Sequence, residues 1–342
     1  MTLYHPVSIG NIQLKGNLFL APVAGYSDVA FRSVCVENGA CFTYTEMVSA
    51  EALVRKNLKT ETLMRRACNE KAYAVQIFGG EPQVMAQAAQ IVLEKTKCEC
   101  IDINCGCPVP KIVKTGAGSA LTRDPDRLFK VVEAVVSACK KAVPEALEGQ
   151  EPQNVTPVTV KIRSGWEQKQ ITWREAAQAA LDAGASAITI HPRTKAQGYE
   201  GHSDWDIMRQ LVEMVGGRVP VFGSGDLFKP QDAAAMLEQT GVDAVMFARG
   251  AMGNPFIFRD TTSLLTTGTY EPVPADVRIK TGFAELECLA AETSEQHACL
   301  EMRKRFHAYS KGIPNGGPIR NAIVHAATIE DYHKIFDEIL KY

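Results

Sequence analysis

Short apolar segments rich in β-branched and aromatic residues recur along the chain, at Asn17–Ala21, Ala40–Tyr44, Ala74–Phe78, Cys100–Asn104, Val158–Arg163, Ala187–His191, Val219–Gly223 and Ala244–Ala248. Most are unbroken apolar runs rather than alternations of apolar with polar positions. That is the pattern of strands covered on both faces in a parallel sheet. Amphipathic segments with helical spacing lie between them, clearest at Asp124–Val143, Thr172–Ala183, Asp204–Val215 and Pro230–Gln239. Pro125 directly after Asp124, Thr172 before Trp173-Arg-Glu175, and Pro230 are helix-start signals. Eight strand–helix units over about 250 residues predict an α/β fold, a (β/α)8 TIM barrel. A doubly wound sheet is the structural alternative, but it would use fewer strands and an early dinucleotide fingerprint, which this chain lacks.

The strand rhythm stops after Phe258. Thr261–Pro274, rich in Thr and Pro, reads as a linker, and the pattern from Ala275 to the end is helical, interrupted at Gly312–Pro318. The expected organisation is therefore a barrel domain over residues 1–260 followed by a small all-helical domain over 275–342. Pro144–Pro157 is polar, acidic and bounded by prolines, and reads as a surface excursion before the fifth strand.

At 342 residues the chain exceeds one compact core, which suits a large domain plus a smaller one. No apolar run reaches the roughly 18 residues needed to cross a bilayer, and the first residues lack the layout of a signal peptide. The expectation is a cytoplasmic protein. A formal charge of −2 gives no global attraction to nucleic acid or anionic lipid, so a nucleic-acid partner needs a local basic patch. Ten cysteines are scattered without small-domain spacing, which argues against disulfides.

In such a barrel the working residues sit at the C-terminal ends of the strands. Here Pro22-Val23-Ala24-Gly25 follows the first strand and Gln76 lies in the third. Asn104 through Cys107 follow the fourth, and Lys161 and Arg163 end the fifth. His191-Pro192-Arg193 follows the sixth, Gly223-Ser224-Gly225-Asp226 the seventh, and Arg249-Gly250 the eighth. A single buried lysine or histidine is readily a paired core residue; seven of eight strand ends loaded this way is not packing. The loops at Gly223-Ser224-Gly225 and Ala248-Arg249-Gly250 let backbone N–H groups approach an anion, where barrels commonly bind phosphate, and Arg249 adds a charged fork. Taken singly, either loop is equally a tight turn.

Residues 102–108, Asp-Ile-Asn-Cys-Gly-Cys-Pro, place a thiol at the mouth of a strand-to-loop turn, framed by Gly and Pro. Such a thiol is positioned to exchange a proton. Cys98, Cys100, Cys105 and Cys107 also form C-x-C-x4-C-x-C, which raises a metal or iron–sulfur site. However, Cys98 precedes the fourth strand and Cys105 follows it, about 15 Å or more apart at about 3.3 Å per residue, so one tetrahedral site cannot collect all four. Cys35, Cys41, Cys68, Cys139, Cys288 and Cys299 read as small hydrophobes.

The run Arg303-Lys304-Arg-Phe-His-Ala-Tyr-Ser-Lys311 is either a solvated helix face or an RNA-facing one. Phe306 and Tyr309, three apart, are equally a buried stripe. Lys111, Lys114 and Arg193 near the barrel mouth extend the basic patch if they share its face.

These motifs together resemble the tRNA-dihydrouridine synthases. The resemblance rests on Ala21-Pro-Val-Ala-Gly-Tyr-Ser-Asp28 with Phe31-Arg32, the Asp102–Pro108 motif with Lys111, Gly116-Ala-Gly-Ser-Ala-Leu121, Val160-Lys-Ile-Arg163, His191-Pro-Arg-Thr194, Gly225-Asp226 and Arg249-Gly-Ala-Met-Gly-Asn-Pro255. It is collinear from about residue 6 to 320 and includes Arg303-Lys304 and Tyr309-Ser-Lys-Gly312 in the tail. The family implies an FMN enzyme that uses NADPH to reduce the C5–C6 double bond of particular uridines in tRNA. Carried over by position, the resemblance implies that Pro22, Val23, Ala24, Gln76, Lys161, His191, Ser224, Gly225, Asp226, Ala248 and Arg249 hold the flavin. Reduced flavin then gives hydride to C6, and Cys107, the general acid, protonates C5 on the opposite face. Asn104 is the implied partner of the flipped base, and Lys111, Arg193, Arg303, Lys304 and Lys311 are implied tRNA contacts. No metal, membrane or obligate protein partner is implied.

The chain departs from the family's pattern at Ser224, where Asn is common, at Phe247-Ala248, which replaces Ile-Gly, and in its extra thiol, Cys105. Two rival readings remain at this point: a flavin barrel oxidoreductase acting on a free pyrimidine, and a non-catalytic tRNA-binding protein.

Overall fold

The computed structural model describes residues 2–142, 154–313 and 316–340. Eight parallel strands form the barrel: β1 (Leu18–Leu20), β2 (Phe42–Tyr44), β3 (Tyr73–Phe78), β4 (Cys100–Cys105), β5 (Val158–Glu167), β6 (Ala187–Thr194), β7 (Val221–Ser224) and β8 (Ala244–Phe247). Each pairs with the next, β8 pairs with β1, and β5 with β6, so the ring closes. All eight predicted strands are present, and the doubly wound alternative falls to that closure.

Side chains alternate along each strand. Outward positions such as Val75, Ile77, Ile101, Ile103, Cys105, Val160, Ile162, Ile188 and Val245 pack beneath the surrounding helices. Inward positions are aromatic or small lower down, where Phe19 meets Phe222 edge to face at 5.1 Å. Higher up they turn polar at Gln76, Asp102, Asn104, Thr159 and Thr189. The lower end is sealed by a hairpin that sequence periodicity did not reveal, Val7–Ile9 with Ile12–Leu14, whose Val7, Ile9 and Leu14 join the inward aromatics. With one end filled, space for a ligand is left at the other.

The predicted helices appear as Pro125–Lys141, Trp173–Asp182, Trp205–Val215 and Pro230–Thr240. One boundary is corrected. Residues 261–267, read as linker, belong to the barrel's last helix, Ile257–Thr267, which ends at Gly268. Thr is a weak helix former, but Phe258 and Thr261 are buried there, and burial overrides propensity. Most of the acidic excursion, residues 143–153, lies outside the described residues, as do 314 and 315 within the expected interruption of the tail.

Four helices follow: Ala275–Glu292, Glu295–Tyr309, Gly316–Ile323 and Ile329–Leu340. They share a core of Ile279, Phe283, Leu286, Met302, Phe306, Tyr309, Tyr332 and Phe336, joined by Ala30 from the barrel's first helix, Val29–Glu37. Phe306 and Tyr309 are thus the buried stripe. Arg305, 1% exposed, joins the two bodies by pairing with both Asp28 and Glu285. Gly253, at φ +64°, lets the loop after β8 touch this bundle; a Cβ there would stand 2.4 Å from that of Ala308.

Candidate active site

A cavity of about 500 Å³ opens at the C-terminal end of the strands. All eleven residues that the resemblance assigns to a flavin line it, together with Asn104 and Cys107. Arg163, placed by the sequence at the end of the fifth strand, lines it too, as do Met47, Tyr199, Phe228 and Met252, which were not singled out as site residues. Met47 lies just beyond β2, the one strand end that the sequence reading left empty, and that gap was the available signal.

The loop after β4 is held from several sides. Asn104 Oδ1 accepts the N–H groups of Gly106 (3.2 Å) and Cys107 (2.9 Å). Ser119 donates both its N–H and its hydroxyl to the Cys107 carbonyl, each at 3.0 Å. Arg163 Nε donates to the Gly106 carbonyl at 2.7 Å, and its Nη1 to those of Thr194 and Gly198. The Cys107 sulfur is only part-buried at the mouth. Burial raises its pKa, against a backbone hydrogen bond from Val109 and the Arg163 charge, so the thiol keeps its proton at neutral pH. Cys105 faces outward into the helix layer, Cys98 lies in that same core and Cys100 points into the barrel, so the four sulfurs do not converge.

Behind Cys107 runs a chain of hydrogen bonds. Asn104 Nδ2 donates to Gln76 Oε1 at 2.8 Å, and Gln76 Nε2 donates to Asp102 Oδ2 at 2.6 Å. Thr159 Oγ1 donates to Asp102 Oδ1 at 2.5 Å. Strand register builds this chain, since Gln76 pairs with Asp102, Asp102 with Thr159, and Asn104 with Lys161. Burial pushes Asp102 up to about 6, against its two donors and the Lys161 charge. The second Asn104 amide hydrogen faces only the Met47 sulfur at 3.7 Å, a weak acceptor.

Lys161 stands beside this chain, and among the described residues its ammonium meets no hydrogen-bond acceptor. Burial lowers its pKa to about 8; Arg163 adds to the fall and Asp102 opposes it. Burial, then the cations around it, hold His191 well below its usual range, so the imidazole is neutral. Arg193 donates toward its Nε2 at 3.2 Å, which places the ring proton on Nδ1.

The structure corrects Arg193. It is 1% exposed, its guanidinium forks onto both Asp226 oxygens at 2.8 Å and also reaches the Gly201 carbonyl, so it faces no external RNA. It braces the loop after β7 instead. In that loop Gly225 has φ +127°, and a Cβ there would fall 2.4 Å from Ser203 Oγ and 2.9 Å from the His191 ring. The N–H groups of Gly225, Asp226 and Ala248 donate to no acceptor among the described residues. Ser224 Oγ bonds the Met246 carbonyl at 3.3 Å. Arg249 stands over the rings of Tyr199 (4.5 Å) and Phe228 (5.1 Å) at the rim.

The other basic residues divide between two places. Lys304 lies on the helical bundle and donates to the Gly25 carbonyl at 2.9 Å. Arg303 caps the Ala326 carbonyl at 2.9 Å, and Lys311 is exposed. Lys111 and Lys114 are exposed beside the Cys107 loop, on the β4 side, and so do not share the bundle's face.

A closed barrel with polar, charge-bearing strand ends converging on one cavity defines a barrel enzyme with its site at the C-terminal face. The family profile described as dihydrouridine synthase matches residues 19–341. The chain is 55% identical over 332 residues to a probable tRNA-dihydrouridine synthase of Treponema pallidum (strain Nichols), covering 96% of this chain and 95% of that one. It is 38% identical over 262 residues to tRNA-dihydrouridine synthase B of Shewanella oneidensis, covering 77% and 76%. The chain belongs to the dihydrouridine synthase family of enzymes. Among solved structures, the DHODH of Eimeria tenella superposes with a TM-score of 0.54 at 15% identity, over 78% of this chain and 86% of that one, a likeness of fold. No helix among the described residues is long and apolar enough to cross a membrane.

Proposed function

We propose that the protein reduces the C5–C6 double bond of uridine in tRNA, with FMN as cofactor and NADPH as reductant, acting in the cytoplasm without an obligate protein partner. One observation carries the reading: a thiol that keeps its proton and a buried ammonium without an acceptor line the same cavity, on β4 and β5.

The residues fit a flavin nucleotide. Lys161 would meet the electronegative edge of the ring, and Gln76, fixed at both ends of its amide, would present its remaining N–H. Pro22 to Ala24 would lie along the ring, with neutral His191 nearby. The unspent N–H groups of Gly225, Asp226 and Ala248, with Arg249, would cradle the phosphate. The Asp226 carboxylate is spent on Arg193 and Ser203, so only its backbone is available. When bound, reduced flavin supplies hydride to C6 of the uracil.

The remaining work falls to the chain. The target base leaves its stack at a cost of a few kcal/mol and enters the mouth. Asn104 would offer the base the amide hydrogen now facing Met47, while its carbonyl keeps the Cys107 loop in place. The Cys107 thiol gives its proton to C5, and its high pKa keeps that proton available at neutral pH. β4 and β8 lie across the ring from one another, so the thiol faces the phosphate loops over the mouth. The helical domain, 275–342, would clamp the tRNA, with Lys304, Arg303 and Lys311 on its surface and Lys111 on the barrel. A bundle fixed to the loop that lines the cavity suits a macromolecular substrate better than a free pyrimidine.

The test uses tRNA from cells lacking the enzyme, incubated with FMN-loaded protein and NADPH. Dihydrouridine should form in the tRNA and not from free uridine or UMP. Reduction of free uridine at a comparable rate would favour the small-molecule reading, and no dihydrouridine in either would refute both.

A further inference from the structure

The closed ring sets what lies opposite the helical domain. The bundle packs on Val29–Glu37, the helix after β1, and β5 is four strands away on an eight-strand ring, across the mouth. There β5 runs past the barrel to Glu167 and turns back as Gln170–Ile171. Trp166, near its tip, is flanked by Arg123 from the end of Ser119–Arg123 and by Lys195, which follows β6. Arg123 Cζ and Lys195 Nζ each lie 4.8 Å from the indole centroid, so the two charges stand within about 10 Å of each other.

Among the described residues neither cation has a carboxylate partner, and Glu167, next to Trp166, pairs with neither. Lys111, Lys114 and Lys169 are exposed on the same side of the rim and also lack ion pairs among the described residues. Some exposed cations elsewhere are neutralised locally, as in Arg209 with Asp206 and Glu213, Lys280 with Asp276, and Lys334 with Glu330, whereas Arg123 and Lys195 share one aromatic ring and no carboxylate. In a chain of net charge −2, an uncompensated cluster held in place by an aromatic ring is built for an external polyanion.

We infer that Arg123, Trp166 and Lys195, extended by Lys111 and Lys114, form a second docking surface for the phosphate backbone of the tRNA, across the mouth from the helical domain. The inference rests on the tRNA reading above. Trp166 offers its faces to the two cations, so the surface binds backbone charge and reads no base. Gripped on both sides, the tRNA bridges the mouth and presents one nucleotide to the cavity.

The experiment compares FMN-loaded wild type with Arg123→Gln/Lys195→Gln, using tRNA as the probe over a range of salt. Loss of two phosphate contacts should weaken binding about tenfold or more at low salt and reduce the log–log salt slope by about 1.5–2. NADPH-dependent reduction of the bound flavin and kcat at saturating tRNA should be unchanged. Lys140→Gln/Lys141→Gln, an equal change of charge at the other end of the barrel, should leave both binding parameters as in wild type. Arg123→Lys should keep the slope, whereas a merely structural arginine would not tolerate the change. If wild type binds and reduces tRNA but the double variant binds with the same slope and affinity, the docking surface is wrong and the enzymatic reading stands. If the bottom-face control loses as much as the rim variant, the effect is bulk charge and the inference fails. If wild type does not bind tRNA, both fall together.

Discussion

Asp102 lies behind the cavity and holds in place the loop that carries Cys107, the proton donor proposed above. Its carboxylate accepts from both Gln76 and Thr159, and through Gln76 and Asn104 it fixes the backbone N–H of Cys107. Only the anion accepts twice; once protonated, one oxygen must donate, and both of its neighbours are donors too. Because burial raises Asp102 to about 6, activity should fall as pH drops through that value. Asp102→Asn should lower kcat about ten- to hundredfold, leave KM for tRNA nearly unchanged and abolish the acid limb. A variant retaining both kcat and limb would remove Asp102 from the mechanism. Lys161 gives the opposite sign. Its pKa of about 8 means that the free protein loses this charge as pH rises, so FMN affinity should decline above pH 8, measured by fluorescence quenching. Lys161→Met should bind FMN weakly and with no such pH dependence; a wild-type affinity flat between pH 7 and 9.5 would contradict the role. That Cys107, Lys161 and His191 would line one cavity was legible because strand ends in a barrel are privileged positions. Arg193 misled because its neighbour is a site residue. Its own burial depends on Asp226, 33 positions away, and no local pattern reports that.

Among the elements, the helix Glu295–Tyr309 was legible as a basic run and misleading as a surface. Arg305 is buried with Glu285, itself 0% exposed, and Tyr309 donates to the other Glu285 oxygen at 2.7 Å. Of that run, Lys304, Lys311 and part of Arg303 keep their charge outside. Arg305→Met strands the Glu285 carboxylate and should destabilise the protein by about 3 kcal/mol, seen as an earlier urea midpoint. A loss below about 1 kcal/mol would mean that the apolar contacts of Ala30, Phe283 and Phe306 alone hold the bundle in place. The eight strands were legible because each is an apolar run of ordinary length. The hairpin at Val7–Leu14 was not, because its two short strands mix buried with exposed positions and leave no unbroken apolar run to mark them.

For the whole molecule, the order of motifs along the chain foretold the barrel, while the distribution of charge around its mouth emerged only from closure of the ring. Bundle and β5 hairpin face each other across the cavity, and the thiol lies between them. In the proposed reaction Cys107 gives the proton to a base that takes hydride from reduced flavin. That step is tested most directly by single turnover, with protein-bound FMN pre-reduced under anaerobic conditions and mixed with tRNA from cells lacking the enzyme. Wild type should re-oxidise its flavin as dihydrouridine forms. Cys107→Ala should bind the same tRNA and be reduced by NADPH as before, yet transfer at least about a hundredfold more slowly. Transfer by Cys107→Ala at the wild-type rate would mean that another group supplies the proton.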